Sequence, residues 1–191
     1  MLLETAVERR RLHRLVLATL TSMAACSNAG DGKEAAVADG GQPIAYGDSA
    51  SADAVFLRTL SNHQAGLMFL AHVAHQHPDS VSVRAEALAL DEHHHQQTDS
   101  ALATLRSVTG EEFLPTVTDH YQSLVDTLQR LPPREFDVRF WAEVEGHHRV
   151  GIAIVDSSLA NLRDPRVTSL AQLIRAQHED ELRELRTLRR P

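Results

Sequence analysis

Residues 53–64 read DAVFLRTLSNHQ, and residues 137–148 read DVRFWAEVEGHH, so one pattern occurs once in each half of the chain. Asp, Phe, an aliphatic residue and His recur at the same spacing in both segments. The apolar residues step by three and four, which is the period of a helix with one face turned towards a bundle core. In each helix a histidine, His63 or His147, stands where a packing residue belongs. Because buried polar groups are costly without partners, we expect the chain to supply partners for both.

The composition favours an all-α protein with a substantial core. Hydrophobic residues make up 42% of the 191 residues and aromatic residues only 4%, whereas β-sheets are rich in aromatic and β-branched side chains. The formal net charge of −7 argues against a nucleic-acid partner, since nucleic acids are bound by clustered Lys and Arg. The twelve histidines are many for this length, and they supply most of the candidate ligands considered below.

The N-terminal 50 residues predict export. Four arginines between residues 9 and 14 precede a short apolar run, residues 15–20, and small residues lead up to Cys26. This order is typical of a secretory signal, and the run is too short to cross a bilayer. Small residues before a cysteine resemble a bacterial lipobox, so we expect residues 1–26 to be a signal peptide and Cys26 to be lipidated; secretion without a lipid is the alternative. Residues 27–50, rich in Gly, Ala, Asp and Ser, predict a flexible tether.

Residues 51–190 predict a ferritin-like antiparallel four-helix bundle with an internal duplication of one helical hairpin. We expect long helices over residues 51–75, 81–110, 137–161 and from 165 onwards. Ser51 or Asp53 is available as the first N-cap. The connector, residues 111–135, contains a short helix that Pro115 opens and Pro132–Pro133 close.

Ligand-type side chains fall on the predicted inward stripe of all four long helices. On the second helix that stripe is Ala85, Leu88, Glu92, His95, Leu102 and Leu105. The second helix then presents Glu-x-x-His and the fourth presents His-x-x-Glu. Residues three apart share a helix face, so each pair can converge on one point. Packing the helices together predicts one layer of six metal ligands: His63, Glu92, His95, His147, His178 and Glu181.

The composition of this layer predicts which metal it would bind. Carboxylate di-iron bundles use Glu on two helices and Glu-x-x-His on the other two, whereas His63 and His147 replace two of the Glu residues here. Four imidazoles and two carboxylates neutralise two ferric ions poorly and suit copper, zinc or nickel better. We therefore expect copper, with zinc or iron as alternatives. Met68 is the only methionine in the bundle segment, so a thioether-rich Cu(I) cage is not supported.

Several histidines keep more than one interpretation. The core-stripe histidines could be satisfied by hydrogen bonds without any metal, and His148 could take the place of His147. His93, His94 and His95 are consecutive, so only one or two of them can face inwards. Three further histidines are either simply exposed or form a second, surface site at helical spacing: His72, His75 and His77.

The same residues resemble a known family. The order Asp-x-x-Phe-Leu, His-His and Ala-Gln-x-x-acidic resembles a ferritin-like family of secreted bacterial proteins, catalogued as domain of unknown function number three hundred and five. The resemblance covers residues 51–188; the doubled histidine stands at His147–His148 and is reduced to His63–Gln64 in the first half, and the Ala-Gln segment begins at Ala176. It implies a copper-related role, since some members bind copper and are implicated in periplasmic copper handling. Most of the methionines typical of that family are missing here.

These features predict an exported, lipid-anchored protein of the cell envelope that binds copper and sequesters or delivers it outside the cytoplasm, without turnover. Its expected partners are the metal ion and, through Cys26, the membrane. Two alternatives remain: a redox enzyme with a dinuclear metal site, and a metal-free bundle that serves as an interaction or envelope-stress module. The sequence shows no nucleophile with its base and no glycine-rich phosphate loop, which argues against a hydrolase or a nucleotide enzyme.

Overall fold

The computed structural model describes residues 51–76 and 81–188, so the predicted signal peptide, Cys26, the tether and His77 lie outside the described residues. Within those ranges the chain is helical and contains no β-strand. The helices are α1 (Ala52–His75), α2 (Val81–Thr109), α3 (Asp119–Leu128), α4 (Pro133–Ser158) with a 3₁₀ turn at Leu159–Asn161, and α5 (Pro165–Leu188). None of these helices is both long and apolar enough to cross a membrane.

The four long helices form the predicted antiparallel bundle. Helix α1 packs along α2, helix α4 packs along α5, and α1 also contacts α4 across the bundle. The short helix α3 of the connector lies against α1 and α4. The all-α fold class and the four-helix bundle are therefore confirmed, whereas the internal duplication of a hairpin stays a prediction.

Two boundaries in the connector differ from the prediction. Residues 111–118 have no regular structure, so the short helix begins at Asp119 and not at Pro115. Pro133, which we expected to follow a helix end, is instead the first residue of α4. A residue in the first turn has no intrahelical partner for its N–H, so a proline costs nothing there and α4 begins four residues before Asp137.

The start of α1 is tied to the start of α5. Ser51 caps α1, because its side-chain oxygen accepts a hydrogen bond from the Ala54 N–H at 3.2 Å. Asp53, the other candidate cap, is buried and accepts hydrogen bonds from the backbone N–H groups of Arg163, at 2.9 Å, and Asp164, at 3.1 Å. One carboxylate thus joins the N-terminal ends of the first and the last helix of the bundle.

The core consists of two apolar clusters separated by a polar layer. One cluster contains Leu67, Leu70, Leu90, Phe140, Val144 and Leu182 among others, and the second contains Phe56, Leu60, Ala101, Val155 and Ile174 among others. Each long helix contributes to both clusters and carries buried polar residues in between. These polar residues include His94 on α2, His147 and His148 on α4, and His178 on α5. An apolar region above and below therefore isolates the histidines from water.

Replacing Asp53 with Ala should lower the free energy of unfolding by about 1–3 kcal/mol, because the Arg163 and Asp164 N–H groups lose their acceptor. Urea unfolding followed by circular dichroism measures the change. Asp99→Ala, at an exposed position of α2, is the control and should stay within about 0.5 kcal/mol of the parent chain. Equal stabilities of the two variants would show that the Asp53 contacts contribute nothing.

Candidate metal centre

Five imidazoles from all four long helices meet in the polar layer. His63 comes from α1, His94 from α2, His147 and His148 from α4, and His178 from α5. The rings of His63 and His147 stack in parallel, with centroids 3.8 Å apart and planes 4° from parallel. The other close ring pairs in the layer have centroid distances of 5.0–6.4 Å. The layer is therefore a compact group of imidazoles and not a set of separate core histidines.

The three consecutive histidines of α2 point in three directions, because successive helix residues are rotated by about 100°. His94 is fully buried and enters the layer. His93 is partly buried and its Nδ1 hydrogen-bonds Glu181 on α5. His95 is exposed, and its Nδ1 lies 3.5 Å from Asp91 on its own helix.

Four of the six predicted ligands lie in or beside the layer, and two do not. His63, His147, His178 and Glu181 come together there, whereas Glu92 and His95 are exposed on the outer side of α2. The inward orientation predicted for Glu92 and His95 is therefore wrong, and His94 takes the inward position on α2. Whether any of these residues binds a metal stays a prediction.

The error comes from the rotation of α2 about its axis. Apolar residues occur on two faces of this helix, and the predicted face includes Leu88, whose side chain is 56% exposed. The buried face is Val83, Ala87, Leu90, His94, Gln97, Ala101 and Leu105. This set steps by four and three almost without a break, whereas the predicted stripe passes through the charged Asp99. That difference is the sequence signal that identifies His94.

Three ring nitrogens in the layer are buried without a hydrogen-bond partner among the described residues: His63 Nε2, His94 Nε2 and His178 Nδ1. His94 shows why, since its Nδ1 donates to the Leu90 carbonyl at 3.0 Å and its Nε2 must then carry the lone pair. An unsatisfied buried polar atom costs about 1–3 kcal/mol. The layer therefore has at least one nitrogen lone pair, that of His94 Nε2, that a metal ion would satisfy.

Two overlapping groups in the layer have the spacing of a metal site. One is His94, His147 and His178, and the other is His94, His148 and Glu181; within each, one ligand atom per residue lies within 4.8 Å of the others. Two nitrogens bound to one ion are at most about 4.2 Å apart, so small side-chain rotations would suffice. Both groups need the single available nitrogen of His94, so they cannot be filled at the same time. The described geometry thus fits one ion.

Glu181 is held by hydrogen bonds from two histidines. His148 Nε2 lies 2.6 Å from one carboxylate oxygen, and His93 contacts the other. Burial alone would raise the pKa of Glu181, but these hydrogen bonds outweigh it and hold that pKa well below its usual value. Burial opposes the charged form of His93 as well, yet its bond to Glu181 raises the pKa of His93. His148 also donates from Nδ1 to the Val144 carbonyl at 2.6 Å, so neither of its nitrogens is available to an ion.

The other imidazoles of the layer are neutral at pH 7. Burial lowers the pKa of His63 to about 4, that of His94 to about 3 and that of His178 to about 2. Burial and the neighbouring imidazoles also hold the pKa of His147 well below its usual value. Metal ions bind the neutral imidazole, so protons do not compete for these nitrogens near neutrality.

The connector covers the layer from one side through Tyr121. Its hydroxyl donates to His147 Nδ1 at 2.8 Å, and burial raises the pKa of Tyr121 to about 12, so the phenol keeps its proton. Gly66 makes room for this ring, since a Cβ there would overlap it. On the other side of the imidazole, His147 Nε2 donates to Gln64 Oε1 at 3.2 Å. An ion bound at Nε2 would replace this hydrogen bond.

A family model matches residues 41–188, which include every described helix. The chain belongs to the family DUF4142, a domain of unknown function. No curated protein matches this DUF4142 chain.

The fold of the DUF4142 chain is similar to three solved structures. A putative secreted protein DUF305 from Streptomyces coelicolor aligns with a TM-score of 0.60 and 19% identity over 74% of this chain and 93% of the other. A DUF305 fragment from Deinococcus radiodurans gives 0.62 and 21% over 72% and 94%. CopM in its Cu(I)-bound form gives 0.59 and 14% over 71% and 93%. The resemblance to family number three hundred and five is thus confirmed for the fold.

Replacing Gly151 with Ala should lower the free energy of unfolding by about 1–3 kcal/mol, because a Cβ there would overlap the His178 ring and come within 3.0 Å of His63 Nε2. Thermal unfolding monitored by circular dichroism measures the change. Gly146→Ala on the same helix is the matched control: nothing lies within 4 Å of its Cβ, so helix propensity should raise the stability by up to about 1 kcal/mol. Changes of the same sign would show that Gly151 makes no room for the layer.

The metal-free protein should lose stability as the pH falls below about 6.5. His63, His94 and His178 have pKa values below 6.5 in the folded state, so the unfolded state binds protons first, and each contributes a slope of up to about 1.4 kcal/mol per pH unit. Glu181, with a lowered pKa, loses its contribution only below about pH 4.5. The contribution of His93 to stability has the opposite sign. Because the pKa of His93 is raised in the folded state, this residue stabilises the fold at low pH, and its contribution is lost as the pH rises.

Urea unfolding at pH 5.0–7.5 in the presence of a metal chelator measures how the free energy of unfolding changes with pH. Variant His120→Ala, at an exposed position of α3, should keep the slope of the parent chain, whereas His178→Asn should reduce it. A flat profile between pH 6.5 and 5.0 would mean that the layer takes up protons without unfolding.

Proposed function

We propose that this DUF4142 protein binds a transition metal, copper by preference, in the histidine layer and sequesters or delivers it outside the cytoplasm. The observation that carries the proposal is the presence of three buried ring nitrogens, on three helices, without hydrogen-bond partners among the described residues. A bundle that served only as a scaffold would gain stability by replacing such groups with apolar side chains. Retaining them is understandable if an ion completes the layer.

The proposed ligands are His94, His147 and His178, which form the fully imidazole group. His63 is the candidate fourth ligand, because its Nε2 is buried without a partner and faces the same space beside Gly151 as His178 Nδ1. The hydrogen bond from His94 to the Leu90 carbonyl fixes the ring so that Nε2 points into the layer. A bound ion would supply a Lewis-acidic positive charge there, and these residues would bind, orient and dehydrate it.

The donor set supports copper over iron. Imidazole suits copper, zinc and nickel, whereas di-iron bundles rely on four carboxylates. Among the described residues the layer has one carboxylate, Glu181, and it is occupied by His148 and His93. CopM, which shares the fold, has been solved with Cu(I) and with silver bound, and this supports copper for the present chain.

A location outside the cytoplasm is part of the same proposal. The signal-like residues 1–26 and the lipobox-like Cys26 predict an exported, lipid-anchored protein of the cell envelope. The similar protein from Streptomyces coelicolor is described as a putative secreted protein, which supports export. The ligands favour sequestration or delivery over a dinuclear redox reaction. A dinuclear reaction needs two ions, whereas the two groups of ligands share His94 and fit one ion.

Metal analysis of the purified full chain tests the proposal. After dialysis against a slight excess of Cu(I), Cu²⁺ or Zn²⁺, the parent chain should retain about one tightly bound ion and unfold at a higher temperature. At a free metal concentration 100 times the dissociation constant, binding raises the free energy of unfolding by about 2.7 kcal/mol.

The variants His94→Asn and His178→Asn should lose the tight ion and the thermal shift, because each removes a nitrogen ligand from the layer. His120→Ala and Glu92→Gln, both at exposed positions, are the matched controls and should bind like the parent chain. Circular dichroism and the unfolding temperature without metal show that each variant is folded. Full tight binding by both Asn variants, or no tight ion in the parent chain, would overturn the proposal.

A further inference from the structure

A second group of ligand-type side chains lies outside the layer, on the surface between α1 and α2. It consists of His72 and His75 on α1 and Asp91 on α2, and one ligand atom of each lies within 4.8 Å of the others. The two imidazoles are three residues apart on one helix face, with ring centroids 5.2 Å apart and planes at 88°. Asp91 approaches them from the neighbouring helix.

The contacts within this group leave it incomplete. His72 Nε2 accepts a hydrogen bond from the Gln76 side chain at 2.9 Å, and His72 Nδ1 lies 3.9 Å from Asp91 Oδ2. That distance is too long for a hydrogen bond but is within the 4.2 Å or so that separates two ligands on one ion at most. His75 Nδ1 is buried and has no hydrogen-bond partner in the described part of the chain. An ion shared by the three side chains would give His75 Nδ1 the partner that it lacks.

We propose that His72, His75 and Asp91 form a second metal site for a divalent transition ion of the Cu²⁺ and Zn²⁺ class. Two imidazoles and one carboxylate provide three ligands, and water fills the remaining positions because His72 is exposed. His95 Nδ1 lies 3.5 Å from the other oxygen of Asp91 and orients the carboxylate from outside. With fewer protein ligands and open access to solvent, the site holds its ion more weakly and exchanges it faster than the buried layer.

The surface site is independent of the layer. His72 lies nine positions after His63 on α1, which corresponds to about 13 Å along a helix. The surface group and the two groups of the layer have no residue in common. One ion therefore cannot contact both groups, and neither site needs the other in order to bind.

Zinc titration of the full chain, carrying His94→Asn and His178→Asn so that the layer is removed, isolates the surface site. Calorimetry should show about one weakly bound Zn²⁺. Adding His72→Ala and His75→Ala should abolish that binding, and Asp91→Asn should weaken it at least tenfold. His120→Ala is the matched control and should leave it unchanged. Residual binding that survives the His72 and His75 substitutions, or its absence in the starting variant, would overturn the second site.

Nuclear magnetic resonance identifies the side chains that lie next to the bound ion. Substoichiometric Cu²⁺ added to the layer-deficient chain should broaden the ring protons of His72 and His75 and leave those of His120 sharp. Equal broadening of all exposed histidines would contradict the site. The two proposals can fail separately. A parent chain that binds the weak ion but no tight ion refutes only the function proposed for the layer. A chain that binds the tight ion but no weak ion refutes only the surface site.

Discussion

The structure depends on the burial of neutral imidazoles between two apolar clusters. A buried positive charge is far more costly than a buried neutral ring, so burial keeps these histidines deprotonated and lowers the pKa of His94 to about 3. A neutral imidazole has one donor and one acceptor, and both need a partner when water is excluded. The bundle supplies only some of these hydrogen-bond partners. Three ring nitrogens of the layer remain without a partner among the described residues, on His63, His94 and His178.

The surrounding residues adapt the bundle to this layer. His94 and His148 each donate to the carbonyl of the residue four positions earlier. These hydrogen bonds fix the orientation of each imidazole ring relative to its own helix. Gly151 leaves space for the His178 ring, and Gly66 leaves space for Tyr121. Small residues and helix carbonyls thus set the positions of the imidazoles more rigidly than apolar packing alone would.

Charge is balanced at the edge of the layer and not at its centre. Glu181 accepts from His148 and His93, so its negative charge is paired before any ion arrives. The proposed ligands are then uncharged, which distinguishes this layer from the carboxylate-rich di-iron bundles of the same fold class. The surface group differs again, since Asp91 faces two imidazoles with solvent nearby. The two candidate sites therefore differ in charge, access and expected affinity.

The sequence by itself determined the helical class, the four-helix arrangement and the inward positions of His63, His147 and His178, because apolar residues at a helical period mark one face wherever that face is unambiguous. Only the tertiary structure decided the rotation of α2, where apolar side chains lie on two faces and a rotation of about 100° exchanges His94 for His95 or His93. The more regular period of the buried face favours His94, but contacts with the other three helices decide between the faces, and the sequence of α2 does not contain those contacts. The role of Pro133 likewise depends on where α4 begins. The role of Asp91 depends on His72 and His75, which belong to the neighbouring helix.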